Sequence, residues 1–180
     1  MSGHNKWSQI KEKKGKTDAA RSRVFGKLAQ LITQEACSVK GDKNAPALRA
    51  VIERARKENM PSENIERAIK KAAEAGAQNL VRARYEAYGP GGAAILIEAL
   101  TENTNKTAQE VKHLLSEHGG NLAAPGAAAW AFEKHDTNKT ERWTAITTVP
   151  LSDEDLAKLE ALVEALEARD DVQEVFTNAE

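Results

Sequence analysis

The stretch LVRARYEAYGPGGAAILIEAL, residues 80–100, decides the fold of this chain. Its first part alternates weakly between polar and apolar residues, and its last part is a compact apolar run rich in isoleucine and leucine. Both patterns are typical of β-strands. The segment Gly89-Pro90-Gly91-Gly92 between them is a turn signal of the kind that joins two strands. We therefore predict a hairpin and not a phosphate-binding loop, because no Gly-Lys-Ser/Thr ending leads into a helix.

The residues that follow this hairpin predict an α+β domain. Apolar residues recur at helical spacing over 105–118 and again after Ser152, a predicted N-cap with Asp155 three residues on. The other predicted strands are AAAWAFE (127–133), RWTAITTV (142–149) and VQEVF (172–176). The resulting order, ββαββαβ, indicates an antiparallel or mixed sheet with helices on one face.

Upstream of the hairpin the pattern is helical. Three amphipathic segments begin near Asp18, Pro46 and Pro61, and the last stops at Gly76. Asp18 is a predicted N-cap, and proline is favoured in the first turn of a helix. Three such helices with short connections form a small helical domain.

Residues 2–18 follow neither pattern. Trp7 and Ile10 are their only sizeable apolar side chains, and glycines interrupt them. We predict a flexible or partner-ordered arm here. The predicted layout is therefore a basic arm (1–18), a helical domain (19–76) and an α+β domain (80–180).

Charge is distributed unevenly along the chain. Residues 1–76 hold 17 Lys and Arg against nine Asp and Glu, whereas residues 77–180 hold nine against 18. The whole chain has a net charge of −1. Such asymmetry between halves indicates a part that faces nucleic acid and an acidic body. The alternative is that each half has a solvated face of its own sign.

The basic residues of the first half are the candidate binding residues. A basic cluster attracts phosphates through counterion release, which needs no base recognition. The arm's cations are spaced too irregularly to be one helix face paired with acids. Trp7 among them either stacks on an exposed base or plugs a core. The candidate nucleic-acid-binding residues are Lys6, Trp7, Lys11, Lys13, Lys14, Lys16, Arg21, Arg23, Arg54, Arg67, Lys70 and Lys71.

The same residues give little support to catalysis. The single cysteine, Cys37, cannot form an internal disulfide, and no histidine stands at metal-ligand spacing from it. Neither a GxSxG nor a Walker A segment is present. No apolar run reaches the length of a membrane span, and no h-region follows the N-terminal lysines. We expect a cytoplasmic, non-enzymatic protein with no metal, cofactor or membrane partner.

Several blocks of the chain resemble one known family. They are GHNKW (3–7), NMPSENIERAIKKA (59–72), YEAYGPGG (85–92), GGNL (119–122) and DDVQEVF (170–176). The blocks are long, ordered and spread over nearly the whole chain. They are similar to the YebC/PmpR family, which also includes the mitochondrial translational activator of cytochrome oxidase.

The resemblance implies a cytoplasmic regulator of gene expression that binds nucleic acid. Members are described as DNA-binding transcriptional regulators, and the family is also linked to translation through ribosome association and relief of stalling on proline-rich stretches. Asn5 and Ala87 depart from the family's usual Ser and Gly, and residues 101–107 are less basic than the family pattern.

The largest departure is a deletion. Typical members carry an extra α+β domain after the strand that corresponds to residues 130–133. Here only residues 134–141 precede the next strand, and a segment this short joins neighbouring strands but cannot be a domain. The resemblance therefore implies a short form that lacks the inserted domain.

Three functions remain open at this point. The first is a DNA-binding transcription regulator, although no zipper and no recognition helix stand out. The second is a ribosome-associated translation factor whose arm orders on ribosomal RNA. The third is an adaptor whose basic arm docks on an acidic protein. The first two predict nucleic-acid affinity that falls steeply with salt and disappears without residues 1–18, and the third predicts none.

Overall fold

The computed structural model describes residues 6–14, 17–74, 79–137 and 140–180. The helices are α1 (Lys6–Lys14), α2 (Asp18–Ser38), α3 (Pro46–Lys57), α4 (Ser62–Lys71), α5 (Thr104–Glu117) and α6 (Asp153–Glu167). The strands are β1 (Val81–Tyr88), β2 (Ala94–Thr101), β3 (Asn121–Ala123), β4 (Phe132–Thr137), β5 (Thr140–Ala145) and β6 (Val172–Thr177). This order confirms the predicted α+β class.

The helices α2, α3 and α4 pack around a core of their own. Its largest buried side chains are Leu28, Ile32, Leu48, Ile52, Met60 and Ile65. The predicted N-cap of α2 was wrong by one residue, because the Thr17 hydroxyl accepts from the Ala20 amide at 3.1 Å. Asp18 is instead the first helical residue, where its charge favours the helix dipole. α4 ends at Lys71, several residues before the predicted stop at Gly76, which lies outside the described residues.

The predicted hairpin at residues 80–100 is confirmed. β1 and β2 pair antiparallel along their full lengths, from Val81 opposite Thr101 to Tyr88 opposite Ala94. A single 3-10 turn, Pro90–Gly92, joins them. Gly91 has φ +67° there, and an added Cβ would lie 2.5 Å from Leu151 Cδ2. The turn therefore requires glycine for both its backbone conformation and its close packing.

The main sheet has the order β3-β1-β2-β6 and is antiparallel throughout. In β2, Ile95 and Ile97 belong to the core shared with α5 and α6. Ala94 and Leu96 belong to a second core, which Phe132 of β4 completes from the other side. The β4–β5 hairpin thus covers one face and the helices cover the other. This double burial explains why β2 is a continuous apolar run.

Three details of this domain differ from the prediction. β3 is a three-residue strand in a segment that was interpreted as a loop. The segment Ala129–Ala131 is a 3-10 turn, so β4 begins only at Phe132. β5 starts before the predicted residue and ends at Ala145. The first difference is a missed short strand and the other two are shifts of strand ends, and both kinds of feature leave little periodic signal.

The N-cap of α6 is as predicted. The Ser152 hydroxyl accepts from the Asp155 amide at 3.1 Å and donates to the Asp155 carboxylate at 2.9 Å. The first turn of α6 carries Asp153, Glu154 and Asp155, whose charges favour the helix N-terminus. α6 is therefore a capped helix with an acidic first turn, and it packs on the helix-covered face of the main sheet.

Candidate nucleic-acid interface

The first nine described residues form helix α1, so the prediction of an irregular arm was wrong over Lys6–Lys14. Trp7 is 7% exposed and belongs to the core between the main sheet and α6. Ile10 packs against the same core. Of the two roles considered for Trp7, the structure therefore supports the core plug, and its ring is not available to stack on a base.

The lysines of α1 lie along the acidic surface of α6. Lys6 forms an ion pair with Asp153, and Lys14 Nζ lies 2.8 Å from Glu164 and 3.0 Å from Glu160. The hydrogen bond to Glu164 raises the pKa of Lys14, and the same bond lowers the pKa of Glu164. These cations are already paired within the molecule.

The remaining lysines of the arm differ from one another. Lys11 Nζ donates to the carbonyl oxygen of Val175 at 3.1 Å and lies 3.9 Å from Glu167. Lys13 is exposed and has no ion pair within the described part of the chain. Lys16 lies outside the described residues. Most of the arm's described charge is therefore used to dock α1.

The basic residues of α4, unlike most of those of α1, are not paired with carboxylates in the described part of the chain. Arg67, Lys70 and Lys71 are exposed, and within the described residues none of them forms an ion pair. The nearby carboxylate of Glu66 is held by Lys43, whose Nζ lies 2.7 Å away. The hydrogen bond from Lys43 lowers the pKa of Glu66. The three cations of α4 are thus left facing solvent.

The predicted residues of α2 and α3 also divide into two kinds. Arg21 and Arg23 on α2 are exposed and have no ion pair among the residues that the structure describes. Arg54 on α3 is half-buried and lies 3.4 Å from Glu174 of β6. Arg54 therefore ties the helices to the sheet and is a poor candidate for binding phosphate.

Further basic residues are engaged where the helices α2 and α3 meet the sheet. Besides Arg54, these are Lys27 with the Glu167 carbonyl oxygen (2.8 Å), Arg82 with Glu35, and Arg84 over the Trp143 ring (4.9 Å). Burial lowers the pKa of Lys27, with Glu167 acting in the opposite direction. This junction is polar, as interfaces between domains of one chain commonly are.

An open cleft of about 770 Å³ lies between α2 and α4. Phe25 contributes to its apolar lining, and Arg67 and Lys71 of α4 line it as well. Glu74 and Glu102 lie in the same lining, so two carboxylates balance the two cations. The sequence offered no signal for this cleft, because its walls come from separate elements.

One aromatic side chain that was not among the candidate binding residues is exposed to solvent. Trp130 is 57% exposed, in contrast to Trp7. The alanines on either side of Trp130 are at least half-buried. The period-2 alternation of AAAWAFE was the one sequence signal that could have indicated an exposed Trp130.

No metal or nucleophile site accompanies these features in the described residues. No group of three or more His, Cys, Asp or Glu side chains is placed there to hold a metal ion. Cys37 is half-buried, and its Sγ donates to the Ala72 carbonyl oxygen at 3.3 Å. None of the helices in the described parts is long and apolar enough to cross a bilayer.

Family models match nearly the whole chain. The TACO1/YebC protein N-terminal domain matches residues 5–75, and the TACO1/YebC second and third domain matches residues 80–141 and 136–179. The chain belongs to the TACO1/YebC family. The two segments of the second match meet at the β4–β5 hairpin.

Relatives of this TACO1/YebC chain carry one recurring name. A "Probable transcriptional regulatory protein" from Desulfosudis oleivorans is 44% identical and aligns with 100% of this chain and 72% of its own length. One from Thermoanaerobacter pseudethanolicus is 37% identical and aligns with 100% of this chain and 97% of its own length. That alignment runs over 239 positions, against the 180 residues here, so the relative has residues that this chain lacks.

A solved structure has the same fold. The crystal structure of a conserved hypothetical protein from Aquifex aeolicus superposes with a TM-score of 0.79 and is 33% identical. The match covers 97% of this chain and 96% of that chain. The fold of this chain is therefore one that a crystal structure has already shown.

Proposed function

We propose that this protein is a non-enzymatic regulator of gene expression that binds the phosphate backbone of nucleic acid in the cytoplasm. The observation that carries the proposal is the exposed, unpaired set of cations on α4, Arg67, Lys70 and Lys71, counted within the described residues. Arg21 and Arg23 on α2 add to the same kind of surface. The names of the relatives, which call them transcriptional regulatory proteins, agree with this role.

The spacing of the α4 cations suits phosphate contacts. Residues 67, 70 and 71 stand three and four positions apart, so their side chains are neighbours on one face of the helix. Long cationic side chains on one face can neutralise several phosphates at once. Such contacts position a protein on nucleic acid but carry no sequence information.

Two considerations bear on the type of nucleic acid, and they do not point to the same one. The names of the relatives favour transcriptional regulation, which acts on DNA. A surface of Lys and Arg suits backbone binding to either duplex DNA or folded RNA, including ribosomal RNA. We retain both targets, a DNA-binding regulator and a ribosome-associated translation factor, because one experiment separates them.

We also propose the domain layout of a short form. It comprises a basic N-terminal segment (1–18), whose helix α1 docks on the α+β domain, then the helical domain (19–76) and the α+β domain (80–180), without an inserted domain near 134–141. The tight β4–β5 hairpin, the two matched segments that meet there and the longer aligned relative support this layout.

The test is a binding titration of the full chain against a DNA duplex and a folded ribosomal RNA fragment at several salt concentrations. The three cations of α4 should contribute about −2.7 to the slope of log K against log salt for duplex DNA. Co-sedimentation with ribosomes that tracks the RNA affinity supports translation, and tighter binding to the duplex supports transcription. If neither nucleic acid binds while an acidic protein does, the adaptor hypothesis replaces the proposal.

A further inference from the structure

The open cleft between α2 and α4 adjoins the exposed cations of α4. Its volume of about 770 Å³ falls within the roughly 300–1,000 Å³ of small-molecule sites. Arg67 and Lys71 line it together with apolar side chains of both helices. We propose that this α2–α4 cleft binds one unpaired base of a folded RNA whose phosphates contact α4. Base binding here depends on the proposed function, since α4 supplies the phosphate contacts, and it makes RNA with unpaired bases the preferred target.

Phe25 of α2 supplies an aromatic surface to the cleft. It is half-buried, because it packs against the core of the helical domain and also lines the cleft. Met60 and Ala68 are buried and continue the apolar lining. An aromatic ring can stack on any base, because every base has a π-face. A ring that the core already holds loses little conformational entropy when it does so.

Gly26, the next residue of α2, lines the same cleft from the interior of the helix. Glycine inside a helix destabilises it relative to alanine. Packing does not require a glycine here, because an added Cβ would meet no atom within 4 Å among the described residues, its own helix aside. The missing side chain does let a flat group approach the helix backbone beside Phe25. Gly26 therefore fits a cleft that receives a planar ring.

The charged groups of the cleft match the other parts of a nucleotide. No charged residue of the lining forms an ion pair within the described part of the chain. These residues are Arg67, Lys71, Glu74 and Glu102. The two cations can hold the phosphates on either side of a bound base. A carboxylate can accept a hydrogen bond from the amino group of that base, as Asp and Glu do from cytosine.

This mixture of charges decides between possible occupants. A free phosphate group or an acidic peptide would be repelled by the two carboxylates of the lining. An uncharged apolar ligand would take charged groups out of water without giving them a partner. A nucleotide with an amino-bearing base offers an anion, hydrogen-bond donors and a flat apolar face together. Duplex DNA keeps its bases in the stack, whereas loops and bulges of RNA present them singly.

The test compares the affinity of the full chain for an RNA duplex and for the same duplex with one bulged cytidine, by fluorescence anisotropy at constant salt. We expect the bulge to raise the affinity about tenfold. Phe25→Leu keeps an apolar side chain without an aromatic face, and it should abolish this gain but leave the duplex affinity unchanged. Gly26→Ala should also abolish the gain, although it should raise the urea midpoint of unfolding, because alanine favours a helix. Arg67→Gln should weaken the binding of both RNAs.

The role of the carboxylates has its own matched control. Glu102→Ala should reduce the preference for a bulged cytidine over a bulged uridine, which has no amino group. Glu63 is exposed on α4 and lies outside the lining of the cleft. Glu63→Ala removes the same charge and should leave this preference unchanged.

Two results would overturn the base site alone. One is RNA binding that the bulge does not strengthen, and the other is a gain that persists in both Phe25→Leu and Gly26→Ala. If neither RNA binds even at low salt, the proposed function fails and the base site fails with it. Gly26→Ala removes no side-chain contact, so the test stands even if the Phe25→Leu chain does not fold.

Discussion

Helices α1 and α4 are both rich in cations, but they use them differently. The lysines of α1 contact carboxylates of α6 and the backbone of β6, and Trp7 fixes the helix in the main core. The basic residues of α4 face solvent without an ion pair among the described residues, while Ile65 and Ala68 bury the opposite side. The cations of α1 have partners within the fold, whereas those of α4 have no ion-pair partner among the described residues.

The comparison teaches that local charge does not identify a binding surface. The first eighteen residues hold five lysines against two acids, yet the acidic α6 neutralises much of that charge in the folded state. Cations that remain unpaired after folding are the ones available to steer a polyanion. The following predictions test this difference, from the largest expected effect to the smallest.

Removing the anchor of α1 should have the largest effect. Trp7→Ala deletes a buried ring and should reduce the free energy of docking by about 3–5 kcal/mol. Trypsin should then cleave after the lysines of α1 about two to four orders of magnitude faster, because cleavage follows the population of the open form. Trp7→Phe is the control that keeps most of the apolar contact. Equal cleavage rates for the natural chain and Trp7→Ala would show that α1 is not docked.

A smaller effect is expected at the junction between α1 and α2. Thr17→Ala removes the hydroxyl that caps α2 and should lower the free energy of unfolding by about 1 kcal/mol, measured in urea. Thr17→Ser retains a capping hydroxyl and should stay close to the natural chain. Nucleic-acid affinity should not change, because no cation is removed. An effect of Thr17→Ser as large as that of Thr17→Ala would contradict the capping role.

The ion pairs of α1 should each contribute little. Lys14→Gln removes contacts with Glu160 and Glu164, but the lysine side chain is 45% exposed, so the expected loss of docking free energy is about 0.2–1 kcal/mol. The tryptic cleavage rate after Lys11 reports the change. Lys13→Gln removes a cation with no ion pair in the described chain and serves as the matched control. A larger effect for Lys13→Gln would mean that α1 docks on another face.

Acid should weaken the docking of α1 through the same carboxylates. Hydrogen bonds from Lys14 and Lys6 lower the pKa of Glu164 and of Asp153, respectively. Their contribution is therefore fully present above the ordinary carboxyl pKa values and is lost as the pH falls through the lowered ones, below 4.5 for Glu164. The chemical shift of the Trp7 indole proton between pH 6 and 3 checks this. Lys14→Gln should show less of the change, and an identical profile would count against the Lys14–Glu164 pair.

Elements with strong periodicity could be predicted from the sequence. The β1–β2 hairpin followed from its turn glycines and apolar run, and the helices α2 to α6 followed from apolar spacing and, at Ser152, from a cap. The signals for these elements are local, so they survive in a single sequence. The pairing of β2 with β6 and the covering hairpin β4–β5 are non-local and needed the structure.

The position of α1 could not be predicted for the same reason. Its two apolar residues, Trp7 and Ile10, are too few to show a helical period, and its stability comes from packing on α6. The acidic surface of α6 lies about 150 residues away in sequence, with separations of 147 between Lys6 and Asp153 and 150 between Lys14 and Glu164. A candidate list based on charge alone therefore combined docked and exposed cations.

One experiment tests the difference between α1 and α4 most directly. Two variants each lose three cations, Lys6, Lys11 and Lys14 of α1 in one and Arg67, Lys70 and Lys71 of α4 in the other, all replaced by Gln. The salt dependence of nucleic-acid binding is then measured for both and for the natural chain, after circular dichroism has shown that each is folded. We predict that the slope of log K against log salt loses about 2.7 for the α4 variant and is unchanged for the α1 variant. The opposite result, in which the α1 variant loses this slope and the α4 variant keeps it, would contradict the proposal that the α4 cations bind the phosphates.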